Sequence, residues 1–343
     1  MPEFDLIARI RERVSSRADV RLGIGDDAAV LQVPADRRLV VAMDTLNAGV
    51  HFPEDTAPAD IGWKALAVNL SDLAAMGAEP AWCTLSLSLP QPDPVWLDGF
   101  LDGFLDLATR HDVALVGGDT TRGPLSVCVT AHGFIEPRAA LRRAAARVDD
   151  DVWVTGTLGD AAGALRQWQA GGACDATLRA RLDRPTPRIA AGRALLGIAH
   201  ASIDVSDGLL ADLGHICAAS GVRARIDIDA LPASDALRSA FSGDDLRTLL
   251  AAGGDDYELC FTAPAVARMA VQEALQDVDV PVARVGTVVG GRVGRGGCRG
   301  GGTRADEDAA GKGDAENAGS LVVTTAGGTP WTPPRRGYQH FSG

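Results

Sequence analysis

With 343 residues, 46% hydrophobic and 23% charged, the chain has the make-up of a globular protein of two ordinary domains. Forty-five acidic residues against 33 basic ones leave a formal charge of −12, which argues against general attraction to nucleic acid or anionic lipid. No apolar run is long enough to span a bilayer, no signal-peptide core is present, and six scattered cysteines contain no CxxC pair, so a cytoplasmic protein with reduced thiols is expected.

Phe4, Leu6, Ile7, Ile10 and Val14 recur at helical spacing and predict an opening amphipathic helix. GIGDDAAV (residues 23–30) then places two glycines and two adjacent acids between apolar runs, which predicts a tight loop that presents acid. LVVAM (39–43) reads as a buried strand closing at Asp44, and 60–76 as a helix whose interior carries Asp72, a poor helix former. WCTLSLSL is a strand, 95–110 a helix, and ALVGG and LSVCVTAHGFI further strands. The pattern breaks over 138–151, which puts the boundary between an N-terminal domain, 1–137, and a C-terminal domain, 138–343.

The second half repeats the alternation. DVWVTG is a strand, 160–170 and 187–200 are helices, and the strand ASIDVSD runs into the helix GLLADLGHICAAS, stopped by Gly221. RARIDI, YELCFTA and VARVGTVV are strands separated by helices around 246–252 and 265–277. Residues 290–320, glycine-rich and then polar, predict a flexible insertion. LVVTT (321–325) resumes the fold, and the aromatic tail WTPPRRGYQHF is expected to dock back on the body. The fold class is α/β (α+β), in two domains.

Acids recur where apolar runs stop: Asp44, Asp119, Asp204 and Asp207, joined by Asp27 and Asp72. Singly, each reads as a turn former or helix cap. Together, at strand ends where α/β ligand sites form, they repel one another unless cations lie between them, which points to several Mg²⁺ ions. GGDTTRGP (117–124) adds glycines that let backbone approach a ligand, and donors for phosphate oxygens; a polar hairpin turn is its plainer reading. Arg142 and Arg143 fit phosphate clamps or surface charge equally, and His51, Trp331 and Tyr338 fit either ligand contact or packing.

Other chemistries fall away. Gly23, Gly25 and Ala28 satisfy GxGxxA, but Pro34 arrives too soon for the helix a dinucleotide fingerprint needs. Neither lysine, Lys64 or Lys312, is followed by Ser or Thr as a P-loop requires, and neither GxSxG nor HExxH occurs. The nucleophile is therefore expected from a substrate.

GIGDDAAV, MDTLNAGVHF, KALAVNLSDLAAMGAEPAW, LVGGDTTRGPLS, IDVSDGLLADLGHI and GGDDYELCF, in this order, closely resemble the thiamine-monophosphate kinases of the aminoimidazole ribonucleotide synthetase-like superfamily. The resemblance covers nearly all of the chain except 290–320. It implies an N-terminal ATP-binding α/β domain that dimerises, a C-terminal α/β domain, a homodimer, and ATP- and Mg²⁺-dependent conversion of thiamine phosphate to thiamine diphosphate, the last step in making that cofactor. Position by position it implies Mg²⁺ ligands at Asp27, Ala42, Met43, Asp44, Asp72, Asp119, Asp204 and Asp207. ATP contacts would be Gly118, Asp119, Arg143 and Ser206, and thiamine phosphate contacts His51, Asp255 and Tyr338. Three positions depart from the family: Ala42 and Met43 stand where hydroxyl residues are usual, leaving only backbone carbonyls, and Asp255 replaces a Glu. The acceptor phosphate is already ionised near neutral pH, so direct in-line transfer without a catalytic side chain or phosphoenzyme is expected.

Overall fold

The computed structural model describes residues 3–290, 321–334, 337 and 338; apart from Gly290, the insertion expected at 290–320 lies outside the described residues. Helix α1 (Glu3–Arg13) is followed by strands β1 (Val20–Leu22) and β2 (Val30–Leu31), which pair antiparallel around the glycine-acid loop. Strands β3 (Arg38–Asn47), β4 (Glu79–Leu89), β5 (Ala114–Arg122) and β6 (Ser126–Ile135) form a sheet of order β3-β6-β4-β5. Only β4 and β5 run parallel, and helix α3 (Pro94–Arg110) makes the crossover that a parallel pair needs. Asp93 starts that helix by accepting the N–H groups of Val95 and Trp96 ahead of Pro94.

Side chains alternate along these strands, so Leu85, Leu87 and Leu89 of β4 and Val127, Val129 and Ala131 of β6 are buried together. Helix α2 (Pro58–Ala75) packs on this sheet and against α3. The two helices approach so closely that a Cβ on Gly103 would lie 1.7 Å from the Ala59 carbonyl oxygen, and one on Gly62 2.0 Å from that of Phe100.

Two compact units make up the chain: Met1–Ala140 with Ala161–Leu196, and Leu141–Asp160 with Gly197–Gly343. The segment carrying most of helix α4 (Asp160–Gln169), with α5 (Ala176–Asp183) and α6 (Ile189–Ala194), thus clusters with the first unit, whereas the division at 137/138 assigns it to the second. Helix α2 is the reason. Its Trp63 indole donates to the Pro185 carbonyl at 2.8 Å beneath the guanidinium groups of Arg110 and Arg184, and its Ala74 carbonyl oxygen would be 1.9 Å from a Cβ on Gly192.

The second unit holds β7 (Asp150–Thr155), β8 (Ala201–Asp204), α7 (Leu209–Ser220), β9 (Arg223–Asp227), α8 (Asp235–Ala240), α9 (Gly243–Ala252), β10 (Leu259–Pro264), α10 (Arg268–Gln276), β11 (Val282–Val289) and β12 (Leu321–Thr324). Its sheet runs β12-β9-β11-β7-β10-β8, antiparallel except where β12 meets β9. The short helices α5 and α8, capped by Asp175 and Ser234, were not anticipated, and the helix expected over 187–200 shrinks to α6 before Gly197 at φ +79°. Asp44 and Asp119 lie inside strands rather than at their ends: Thr45, Leu46 and Asn47 go on pairing with β6, and Thr120 to Arg122 with β4. Asp204 does close its strand.

Two outcomes follow from this packing. Gly103→Ala is expected to lower unfolding stability by about 1–3 kcal/mol in urea titration, since neither helix backbone can yield to the new methyl group. Asp151, 1% exposed on β7, accepts Arg268 Nε at 2.6 Å and Arg284 Nη1 at 3.2 Å. Burial pushes its carboxyl up, but the two guanidinium groups outweigh that and hold it below its ordinary 3.8. A depressed folded value means stabilisation that is present above the unfolded value and lost as pH falls through the folded one. Asp151→Asn should therefore cost about 1–3 kcal/mol at pH 7 and progressively less in acid, read as converging melting temperatures.

Candidate active site

In the first unit the acidic loop is exposed, with the Asp27 N–H turned onto Asp26 Oδ1 at 2.9 Å. Ile24 from that loop joins Ile7 and Ile10 of α1, Leu85, Leu115 and residues 117–120 in lining one pocket, so Gly118 and Asp119 border the same depression as the loop. The Arg11 guanidinium lies against Gly25, 2.7 Å from where a Cβ would sit. Gly118 itself runs so close to β4 that a Cβ would fall 1.9 Å from the Leu85 carbonyl oxygen.

Asp44 stands on the other edge strand. Its N–H donates to Asn69 Oδ1 of α2 at 3.0 Å, and burial pushes its carboxyl up from the usual range. With that N–H used outside the ladder, alternation turns the backbone groups of Asp44 and Ala42 away from β6 and those of Met43 toward Thr130, so Ala42 has the freer carbonyl. Asp72 lies one turn beyond Asn69 on the same face of α2, and from Ile61 to Ala75 it alone escapes burial. Asp44 pairs with Val129, Val129 with Leu85, and Leu85 with Gly118, so three strand spacings, about 14 Å, separate Asp44 from the Gly118 edge. His51 sits between β3 and α2; its Nδ1 accepts the Asn47 N–H at 3.0 Å, which leaves the proton of the neutral ring on Nε2. Buried Lys64 donates to the His51 carbonyl at 3.0 Å.

In the second unit the segment after β8 gathers several predicted residues. Asp212 Oδ2 accepts the N–H groups of Ser206, Asp207 and Gly208, each at 3.1 Å. On its other side the segment accepts: Ser206 O takes the Asp255 N–H at 2.8 Å and Asp207 O the Tyr338 N–H at 3.0 Å. At Tyr338 the tail therefore does return to the body. Burial pushes the Asp212 carboxyl well up, and the charges of Asp204 and Asp207 push it further. Asp255 has φ +66° and its carboxylate accepts the Tyr257 hydroxyl at 3.1 Å. Buried Asp256 and Glu258 brace the same loop, through the Gly159 N–H and the Thr155 hydroxyl. Arg143 is exposed, and its carbonyl accepts from Ser220 at the far end of α7, about 16 Å along the helix from Leu209.

The structure thus brings Ser206, Asp207, Asp255 and Tyr338 together, places Gly118 and Asp119 beside the acidic loop, and sets Asp44 near Asp72 on a separate edge. Among the described residues no three His, Cys, Asp or Glu side chains converge closely enough to hold a metal ion. Lys64, Asn69 and Asp212 were not singled out from the sequence. The signal available was polarity at otherwise apolar helix positions, in WKALAVNL and GLLADL.

Residues 25–135 match the family model for the N-terminal domain of AIR synthase related proteins, and 147–298 the model for their C-terminal domain. The chain is 52% identical to a thiamine-monophosphate kinase from Salmonella typhimurium over 83% of its own length and 89% of that protein. A crystal structure of thiamine-monophosphate kinase from Stenotrophomonas maltophilia K279a is similar at 57% identity and TM-score 0.80, over 85% of this chain and 95% of that one. A structure described as AaThiL complexed with AMPPCP and TMP matches at 28% identity and TM-score 0.70, over 96% of each chain.

Gly118→Ala is expected to push β5 away from β4 and cost about 1–3 kcal/mol of stability, read by urea titration.

Proposed function

The chain belongs to the thiamine-monophosphate kinase family, and on that premise we propose that it transfers the γ-phosphoryl group of ATP to the phosphate of thiamine phosphate, giving ADP and thiamine diphosphate. The observation that carries this reading is 52% identity to such a kinase, extending through both halves of the chain. The relative described with AMPPCP and TMP, an ATP analogue and the acceptor, supports the same substrate pair.

An acceptor phosphate oxygen is ionised near neutral pH, so no side chain has to remove a proton and the residues hold donor and acceptor in line. We assign Gly118, Asp119, Ser206 and Arg143 to ATP, and His51, Asp255 and Tyr338 to thiamine phosphate. The His51 ring, fixed by Asn47, keeps an Nε2 donor, and Asp255 and Tyr338 hang from the backbone segment that carries Ser206. The acids Asp27, Asp44, Asp72, Asp119, Asp204 and Asp207, with the Ala42 carbonyl and in second place that of Met43, supply only hard oxygen donors. That set suits Mg²⁺, which takes one or two carboxylates, keeps waters and shares substrate phosphates instead of occupying an all-protein cage. Bound Mg²⁺ would neutralise charge on the transferring phosphoryl group.

A homodimer is part of this reading. Leu39, Val41 and Met43, 45%, 54% and 63% exposed, form an apolar stripe on edge strand β3, a surface suited to a second copy. A cytoplasmic setting agrees with buried, unpaired Cys83, Cys217 and Cys260, whose thiols burial pushes up, Cys217 to about 12.

Mass-resolved product analysis with ATP, Mg²⁺ and thiamine phosphate should give thiamine diphosphate and ADP in equal amounts, and Asp119→Asn should lower kcat/KM by about 100-fold or more. Intact ATP and no diphosphate from the wild type would overturn the assignment. Val41→Glu should convert dimer to monomer in sedimentation velocity; a monomeric wild type would refute the dimer.

A further inference from the structure

We propose that Asp212 is a positioning residue that ties the nucleotide side of the site to the thiamine phosphate side through residues 205–208. The inference rests on the kinase reading above. It starts from a short segment bonded on both of its edges. Along one edge the N–H groups of Ser206, Asp207 and Gly208 converge on Asp212 Oδ2 at 3.1 Å each. Along the other, the carbonyls of Val205, Ser206 and Asp207 accept the N–H groups of Tyr257 (2.8 Å), Asp255 (2.8 Å) and Tyr338 (3.0 Å). Ser206, assigned to nucleotide, and Asp207, assigned to metal, lie on this segment, and two of the residues assigned to the acceptor hang from it.

Helix capping explains only one of these bonds: a first-turn side chain can reach back to the N-cap N–H, here that of Gly208, but the N–H groups of Ser206 and Asp207 lie ahead of the cap. A capping Asp would precede α7 and accept from N–H groups inside the helix. Here Gly208 holds the cap position at φ +116°, and Asp212, the fourth helical residue, bonds outward to the N–H groups of 206–208. Asp212 is 3% exposed, and a carboxylate so buried needs donors of this kind. The fit is also too tight to slide: a Cβ on Gly254 would lie 2.5 Å from Ser206 O, and one on Gly208 2.9 Å from Gly253 O. Asp255 and Tyr257 are left-handed at φ +66° and +50°, conformations that such bonds hold against their intrinsic cost.

The test compares Asp212→Asn and Asp212→Ala with Asp151→Asn, a buried acid of the same unit outside the site. Both Asp212 variants should raise the KM for ATP and for thiamine phosphate by about tenfold or more, Asn less than Ala because its carbonyl still accepts; Asp151→Asn should lower the melting temperature with both KM values unchanged. Amide hydrogen exchange, which needs no turnover, should quicken at Asp255, Tyr257 and Tyr338 in Asp212→Asn and not in Asp151→Asn. Gly254→Ala, which presses a methyl group onto the Ser206 carbonyl, should raise both KM values. Folded Asp212 variants with both KM values within about twofold of wild type, or with unchanged exchange at those amides, overturn the proposal. If neither Asp212 variant folds, Gly254→Ala decides it, and an unchanged thiamine phosphate KM overturns it. A wild type that forms no thiamine diphosphate would refute the kinase reading, while the exchange experiment still judges the positioning role.

Discussion

Helix α2 is buried along almost its whole length, and the first unit is arranged around that constraint. A helix enclosed on every side has to pack its apolar residues and give each of its polar ones a partner. Leu66, Leu70 and Leu73 meet the first demand and are essentially inaccessible. Lys64 and Asn69 meet the second by bonding to His51 and Asp44, which are two of the predicted site residues. Burial of one helix thereby fixes both the loop that carries His51 and the acid-bearing edge strand β3. Asp72, the partly exposed residue of the run, emerges one turn from Asn69.

The second unit solves the same problem with a different helix. Asp212 enters the apolar start of α7 and is stabilised by three backbone donors from the segment before it. That segment must then hold one shape, and it passes the shape on through its carbonyls to the loop at 255–257 and to Tyr338. Asp256 continues the pattern by accepting the Gly159 N–H from the turn after β7, and buried Glu258 accepts the Thr155 hydroxyl at the end of that strand. Asp212 and Asp256 thus act on backbone, and the backbone held by Asp212 carries Ser206 and bonds to Asp255 and Tyr338.

Elements with strong periodicity were legible without coordinates: α1, α2, α3, α7 and the strands β4, β6, β7, β10 and β11 form where spacing of apolar residues puts them. Short helices were not, because α5 and α8 owe their existence to a cap and to neighbouring elements more than to a repeating face. Strand length was misjudged at Asp44 and Asp119. Edge strands tolerate acid where one side of the ladder is open, so pairing with β6 and β4 carried both strands past the point where the apolar run stopped.

The order of motifs along the chain determined the family, the class of chemistry and the residue types involved, since glycine-acid loops and acid-terminated runs are local features that short stretches carry intact. The tertiary structure decided which of those residues meet. Sheet register set Asp44 about 14 Å from the Gly118 edge, and the clasp around 205–208 joined Ser206 to Asp255 and, across more than a hundred residues of chain, Asp207 to Tyr338. Such pairings depend on long-range backbone hydrogen bonds and on burial of single polar groups, and neither leaves a periodic trace in the sequence.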